Sequence, residues 1–383
     1  MSTTEAAGRA GRSGPDPAPP SGKSGTPGTP GTPGTGVTGG EDGGRRRPGL
    51  VSTNAGRTLG LLVSLAVLGA CLVLSLAFGA KSIPVADVWQ ALTADDGSED
   101  AFIVRDLRVP RAFLGLIVGA ALGVSGALIQ ALTRNPLADP GILGVNAGAG
   151  FAVTIGVAFL GLTSIGQYLG MSFAGAVVTT TLVYVLGSAG RGGATPVQLT
   201  LVGVALSAVL AGISAAVALL RPEVLDAMRG WAAGSLAARD WDVFRAVLPF
   251  IAAGLVLALL SARSLNAIAL GDDLARSLGA GIGRTRIMVV VAVTLLAGAA
   301  TAAAGPIGFV GLMVPHVVRW FVGPDQRWII PYTIVCAPIL LIVSDTVGRV
   351  VLTPQELQVG IVTAFIGAPV LILLVRRKKA SGL

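Results

Sequence analysis

Charge is the scarcest commodity in this 383-residue chain: Asp, Glu, Lys and Arg make up 13% of it, against 52% hydrophobic residues. A soluble domain carries roughly 25% charged residues, so most soluble classes are excluded. The 11 Phe, 5 Trp and 3 Tyr make aromatics rare, and packing falls to small and aliphatic side chains. There is one histidine, His316, and two cysteines, Cys71 and Cys336, each inside an apolar run. A set of Cys, His and carboxylates at metal-ligand spacing is missing, as is a Ser-His-acid arrangement. These absences argue against a metalloenzyme or a hydrolase, and the cysteines read as small buried hydrophobes. Spaced acids of the kind that relay protons within a membrane are also lacking, which disfavours an ion-coupled secondary transporter.

What is present is apolar length. Runs near Leu59 to Ala80, 111–132, 141–160, 165–188, 196–220, 243–262, 286–306, 307–322, 329–350 and 357–375 approach the ~20 residues that cross a hydrocarbon core as a helix. The pattern predicts an all-α membrane protein with about ten transmembrane helices. The first run starts too deep for a secretory signal and is expected to remain as an anchor. Residues 1–56 are different: Pro17-Ala18-Pro19-Pro20, a Thr-Pro-Gly repeat from Thr26 to Gly34 and Arg45-Arg46-Arg47 predict a disordered cytoplasmic tail, followed by a membrane domain over 57–383. Gly22-Lys23-Ser24 imitates the end of a P-loop, but Pro17 stands where that motif needs glycine.

The net charge of +8 is scattered among loop ends, a topology signal rather than a nucleic-acid face. With the N-terminus inside, Arg57, Arg134, Arg191, Arg263, Arg276, Arg284, Arg286, Arg319, Arg327 and the terminal Arg376-Arg377-Lys378-Lys379 fall on the cytoplasmic side. An even span count then leaves both termini there. Lys81, Arg105, Arg108, Arg111, Arg221, Arg229, Arg239, Arg245 and Arg349 fall outside and need another explanation. Arg108 and Arg111 flank Pro110 at the start of a span, where a first-turn proline is well placed. Both guanidinium groups are expected at the membrane surface, either snorkelling or forming a cationic patch, with Arg349, that docks an acidic partner. Asp345 and Arg349 are spaced to pair on one helix face.

Glycines at Gly115, Gly119 and Gly123, and at Gly144 and Gly148, recur every four residues and predict close helix packing, a flexible gate being the alternative. Asn135-Pro136, Asp139-Pro140-Gly141 and Gly305-Pro306 interrupt the apolar region, as backbone lining a solute path does. His316, after Pro315, reads as structural or interfacial more than as a ligand contact. Between Arg263 and Arg286, Asp272-Asp273 is placed to cap a short helix carrying Leu274 and Leu278 on one face, with Gly279 as its stop. It is either a docking element for a cytosolic protein or an ordinary connector.

Several long motifs carry a resemblance. Arg108-Val109-Pro110-Arg111, Gly126 to Gln130, the run from Arg134 to Val145, Gly305 to Leu312 with Pro315-His316, and Ile366-Gly367-Ala368-Pro369 resemble the permeases of ferric-siderophore and vitamin B12 ABC importers, over about residues 58–379. Gly79 to Pro84, Val145 to Ala149, Val370 to Ile372 and Arg376 to Lys378 are similar to the members that handle ferric catecholates. Gln358 stands where many members have proline. The resemblance implies a type II importer permease fold and no catalysis by this chain. It implies a second permease subunit (a heterodimer favoured over a homodimer), two ATPase subunits that carry ATP and magnesium, an extracytoplasmic binding protein and a ferric siderophore as cargo. Vitamin B12 or haem are the alternative cargoes. It also implies residence in the plasma (inner) membrane. The binding protein would dock on Arg108, Arg111 and Arg349. The coupling helix would span Gly271 to Gly279, including Asp272, Asp273, Ala275 and Leu278. The inner gate would lie near Asn135, Leu137 and Thr195. No cofactor is implied on the chain itself.

Overall fold

The computed structural model describes residues 50–51, 53–94, 97–189, 195–277, 279 and 281–376. Most of the expected tail, with Arg45 to Arg47, lies outside the described residues, as do Arg191, Leu278 and Arg377 to Lys379. The described residues form helices and connecting loops, with no strand among them. Ten apolar helices coincide with the ten runs: α1 (Asn54–Ala77), α4 (Val109–Thr133), α5 (Val145–Leu160), α6 (Ile165–Ser188), α7 (Pro196–Leu220), α9 (Trp241–Ile268), α11 (Ile282–Ala304), α12 (Val310–Val322), α13 (Gln326–Val351) and α14 (Val359–Arg376). Four shorter ones link them: α2 (Val85–Thr93), α3 (Glu99–Phe102), α8 (Pro222–Ala232) and α10 (Asp272–Ser277). Among the described residues, seven helices are long and apolar enough to cross a membrane alone, while α5, α12 and the apolar part of α14 are shorter.

Two helices form the interior. In their most apolar stretches α4 is 83% and α11 78% buried, whereas α1 is 11% and α7 6% buried. Glycine explains the closeness around α4. A Cβ on Gly119 would stand 2.6 Å from the Pro338 Cα, and one on Gly123 2.4 Å from the Ala337 Cβ, so α4 meets α13 backbone to backbone. Gly126 does the same against Gly311 of α12, and Gly148 against Gly175 of α6. The four-residue glycine spacing is thus a packing device in α4. Gly144 is different from its expected partner Gly148: it holds a left-handed φ of 76° before α5, the conformation glycine adopts without a steric penalty.

The start of α4 departs from expectation. In place of a span opening at Arg111, the helix is continuous from Glu99, through a π-helical stretch at Ile103–Arg108. Pro110 has no N–H to continue an α ladder, and the Val109 N–H reaches back to the Val104 carbonyl. The break at Gly305-Pro306 is present, with Gly305 at φ 73° and Phe309 at φ 68° between α11 and α12. α14 begins at Val359 directly after Gln358, whose carbonyl accepts from the Ile361 N–H at 3.0 Å.

Candidate functional site: polar clusters at the two ends of α4

Arg111 stands at the start of α4 and Arg134 caps its end, roughly 35 Å apart at 1.5 Å per residue. Each anchors a polar cluster in an otherwise apolar bundle.

At the first end, burial replaces the expected exposed patch. Arg108 is 7% exposed. Its guanidinium donates to the carbonyls of Leu76 at 2.5 Å and Ala77 at 3.0 Å, and also to that of Lys81. Those first two carbonyls belong to the last turn of α1, where helix carbonyls lack internal partners. Arg108 therefore closes one helix and holds the loop after it. Arg111 donates to both oxygens of Asp345, from Nη2 at 2.8 Å and Nε at 3.0 Å, the forked geometry of a strong carboxylate pair. Its Nη1 donates to Glu356 at 2.8 Å. Arg349 approaches Asp345 at 3.3 Å, as the four-residue spacing predicted, and donates to Thr346 at 3.2 Å. All three arginines are inside the chain's own polar network rather than presented at the surface. The physical reason is that each has oxygen partners within the chain, distant in sequence for Arg108 and Arg111 and within one helical turn for Arg349, and an unpaired buried charge is costly. Three cations against Asp345 and Glu356 leave the cluster a net +1. Nearby in sequence, Lys81 pairs with Asp100 at 2.7 Å and Glu99 at 3.4 Å, and the hydrogen bond to Asp100 is the chief cause that raises the ammonium pKa above the ordinary lysine value.

At the other end, Arg134 takes a left-handed φ of 51° as the C-cap of α4 and donates to Asp272 Oδ1. Arg286 of α11 donates to the other oxygen of the same carboxylate at 2.7 Å. Asp272 therefore ties α10 to the ends of both interior helices. Its side chain serves these arginines and does not cap α10 as expected; the Ala275 amide finds the Gly271 carbonyl at 2.9 Å. Asp273 pairs outward with Arg276 at 3.0 Å. Leu274 is exposed and Ala275 is buried with Ile268 and Ile282, so Ala275, not Leu274, faces the bundle. Gly271 and Gly279 bound the segment at φ 107° and 77°. Next to the α4 cap, the Asn135 Oδ1 accepts the Leu137 amide at 3.0 Å, which fixes a tight turn. Asp139 then accepts from the Gly141 amide at 2.7 Å and caps the short helical turn Pro140–Leu143. Burial raises the Asp139 carboxyl pKa above its usual value, and the Gly141 bond opposes the rise. Thr195 caps α7 reciprocally with Gln198: the Gln198 amide donates to the Thr195 hydroxyl at 3.3 Å and the Thr195 amide to the Gln198 side chain at 3.2 Å. No described hydrogen bond joins Thr195 to Asn135 or Leu137.

Some polar residues in these helices were not singled out by sequence reasoning. Gln130, 1% exposed, donates to the Gly311 carbonyl at 3.0 Å where α4 and α12 touch. A glutamine inside a run of small apolar residues was the available signal. Thr301 of α11 donates to Asn146 of α5 at 2.9 Å. His316 packs edge-on against Trp320 at 5.4 Å between ring centroids, in keeping with a structural place.

Two interior helices that each end at a proline-containing break, bare apolar helices around them and a charged cluster at each end of α4 define a polytopic helical membrane permease. Residues 53–377 match the FecCD transport family, and the chain belongs to that family. It is 51% identical over 324 residues to the ferric enterobactin transport system permease protein FepD of Escherichia coli (strain K12), covering 84% of this chain and 96% of that protein. It is 41% identical over 330 residues to the iron(3+)-hydroxamate import system permease protein FhuB of Bacillus subtilis (strain 168), covering 84% and 85%. In three dimensions it is similar to a metal-chelate type ABC transporter in an inward-facing conformation, at TM-score 0.73 and 27% identity, covering 84% of this chain and 99% of that one.

Proposed function

We propose that this chain is the permease subunit of an ATP-driven importer that moves a ferric siderophore of the catecholate type across the plasma (inner) membrane, with both termini cytoplasmic. The observation that carries the reading is the 51% identity to FepD along 96% of that protein. The chain pairs with a second permease subunit, as a heterodimer, and with two ATPase subunits that hold ATP and magnesium. It binds no cofactor and makes or breaks no bond in the cargo. An extracytoplasmic binding protein docks at the Arg108, Arg111 and Arg349 end. The ATPases engage the segment Gly271 to Gly279, with Asp272, Asp273, Ala275 and Leu278. The gate lies at Asn135, Leu137 and Thr195.

The physical logic follows from the two clusters. Asp345 takes Nε and Nη2 of Arg111, which leaves the Nη1 side, held in this chain by the partly exposed Glu356, as the part of the guanidinium that a partner's carboxylate can reach. A push on α10 reaches Arg134 through Asp272, and Arg134 immediately precedes the Asn135 turn. Hydrolysis can thereby move the end of α4. Reversal of charge at Arg111 is expected to weaken docking, and unaltered affinity for the binding protein at low salt would reject that surface. Shortening 271–279 is expected to abolish cargo-stimulated ATP hydrolysis; normal stimulation in that variant would reject the coupling assignment.

A further inference from the structure

The two carboxylates on Arg111 are not equivalent. Asp345 has a side chain 6% exposed, sits within α13 and is shared with Arg349. Its removal would strand two buried guanidinium groups. Glu356 has a side chain 34% exposed and holds only the remaining edge, Nη1, at 2.8 Å. It belongs to the loop between α13 and α14, and the backbone of that loop is pinned independently of the ion pair. The Leu357 amide donates to the Gly348 carbonyl at 3.0 Å. Gly348 permits this approach, since a Cβ there would lie 2.5 Å from the Leu357 carbonyl oxygen. The Glu356 carboxylate can therefore leave Arg111 by rotation of its own side chain, with the loop backbone still in place.

We propose that Glu356 is an intramolecular stand-in for a carboxylate of the docking protein: it occupies the outward edge of Arg111 in the free permease and is displaced when an acidic side chain of the partner arrives. This rests on the docking surface proposed above and adds the chemistry of its occupant and its control. Arginine receives carboxylates in a planar, directional geometry, so the incoming group replaces Glu356 in kind. Exposed ion pairs contribute little to stability, so the exchange costs the permease little. Released, Glu356 is rehydrated beside the interface. Until then, Glu356 occupies Nη1 of Arg111 while Asp345 holds Nε and Nη2.

The proposal fixes the sign of a mutation. Labelled cognate binding protein is titrated onto the assembled transporter in lipid nanodiscs. Glu356→Gln is expected to tighten binding by about three- to fivefold, the upper scale of one exposed ion pair. Glu99→Gln, which removes an acid paired with Lys81, measures the general effect of deleting negative charge and is expected to change affinity less than about twofold. The gain is expected to vanish in the Arg111→Lys background, which keeps a cation beside Asp345 and loses the guanidinium fork. An equal gain from Glu356→Gln and Glu99→Gln, a gain that persists with Arg111→Lys, or no gain at all would each overturn the proposal. If Arg111→Lys and Arg111→Glu both leave affinity unchanged, the docking surface itself is wrong. If they weaken docking while Glu356→Gln is silent, only the stand-in is.

Discussion

Asp272 and Arg134 form a direct ion pair across 138 residues of sequence, joining the first residue of α10 to the cap of α4. Both side chains are partly exposed, so the pair contributes only about 0–1 kcal/mol to stability. On the coupling role proposed above, its consequence is mechanical. Asp272→Asn is expected to leave assembly and basal ATP hydrolysis of the complex intact, and to cut cargo-stimulated hydrolysis about fivefold or more, the scale of a coupling free energy. Parallel measurement of thermal melting separates this from loss of fold.

At the opposite end the same chemistry is structural. Asp345 serves Arg111 and Arg349 at once from a nearly buried position. Asp345→Asn leaves two buried cations undercompensated and is expected to destabilise the chain by about 3–5 kcal/mol. Glu356→Gln, at the exposed edge, is expected to cost less than about 1 kcal/mol. Melting of the two variants in one detergent gives the ranking.

Close approach of helices sets a third expectation. Ala at Gly126 would place a Cβ 2.0 Å from the Gly311 carbonyl oxygen, and Ala at Gly203 one 1.8 Å from that of Ile142. Both Gly126→Ala and Gly203→Ala are expected to lower the yield of folded protein sharply, because backbone must move. Gly212→Ala, with nothing within 4 Å on α7, is expected to be neutral or mildly favourable, by about the 1 kcal/mol that separates Gly from Ala in a helix. Monodisperse yield by size exclusion reports the difference.

Asp139 supplies a pH dependence. Its folded-state pKa is raised, mainly by burial, so the folded chain holds this proton more tightly than the unfolded one. Stability from this group is then greatest below the unfolded pKa and falls as pH rises through the folded value. Asp139→Asn retains an oxygen for the Gly141 amide and carries no charge. It is expected to melt higher than the parent above the folded-state pKa, with the difference shrinking as pH falls through that value toward the ordinary carboxylate range.

The ten apolar helices were legible because a hydrocarbon core demands long uninterrupted runs, and the breaks at Asp139-Pro140 and Gly305-Pro306 because those residues interrupt a helix. The glycine register of Gly119 and Gly123 against α13 was legible for a similar reason. The burial of the arginines was not. The partners of Arg111 lie 234 and 245 residues away, and nothing local distinguishes a guanidinium in water from one held by a distant carboxylate. Within α13, Asp345 and Arg349 were recognised as a pair, yet the stronger claim on Asp345 comes from α4. The short helix after Arg263 was legible from Asp272-Asp273 and Gly279, and Leu274, read as part of one apolar face, is exposed; nothing local marked Ala275 as the residue that packs inward, since six helical residues are too few to define a periodicity.

The central claim is ATP-driven import of a ferric catecholate, and uptake of radioactive iron tests it most directly. The chain is expressed with its partner subunits in cells that lack their own ferric enterobactin permease and is supplied with iron as ferric enterobactin, a ferric hydroxamate or haem. Restored uptake from the catecholate alone, abolished by an ATPase-inactive partner subunit, is the predicted result. Uptake that continues with the inactive ATPase, or that is restored by haem or the hydroxamate and not by the catecholate, would contradict it.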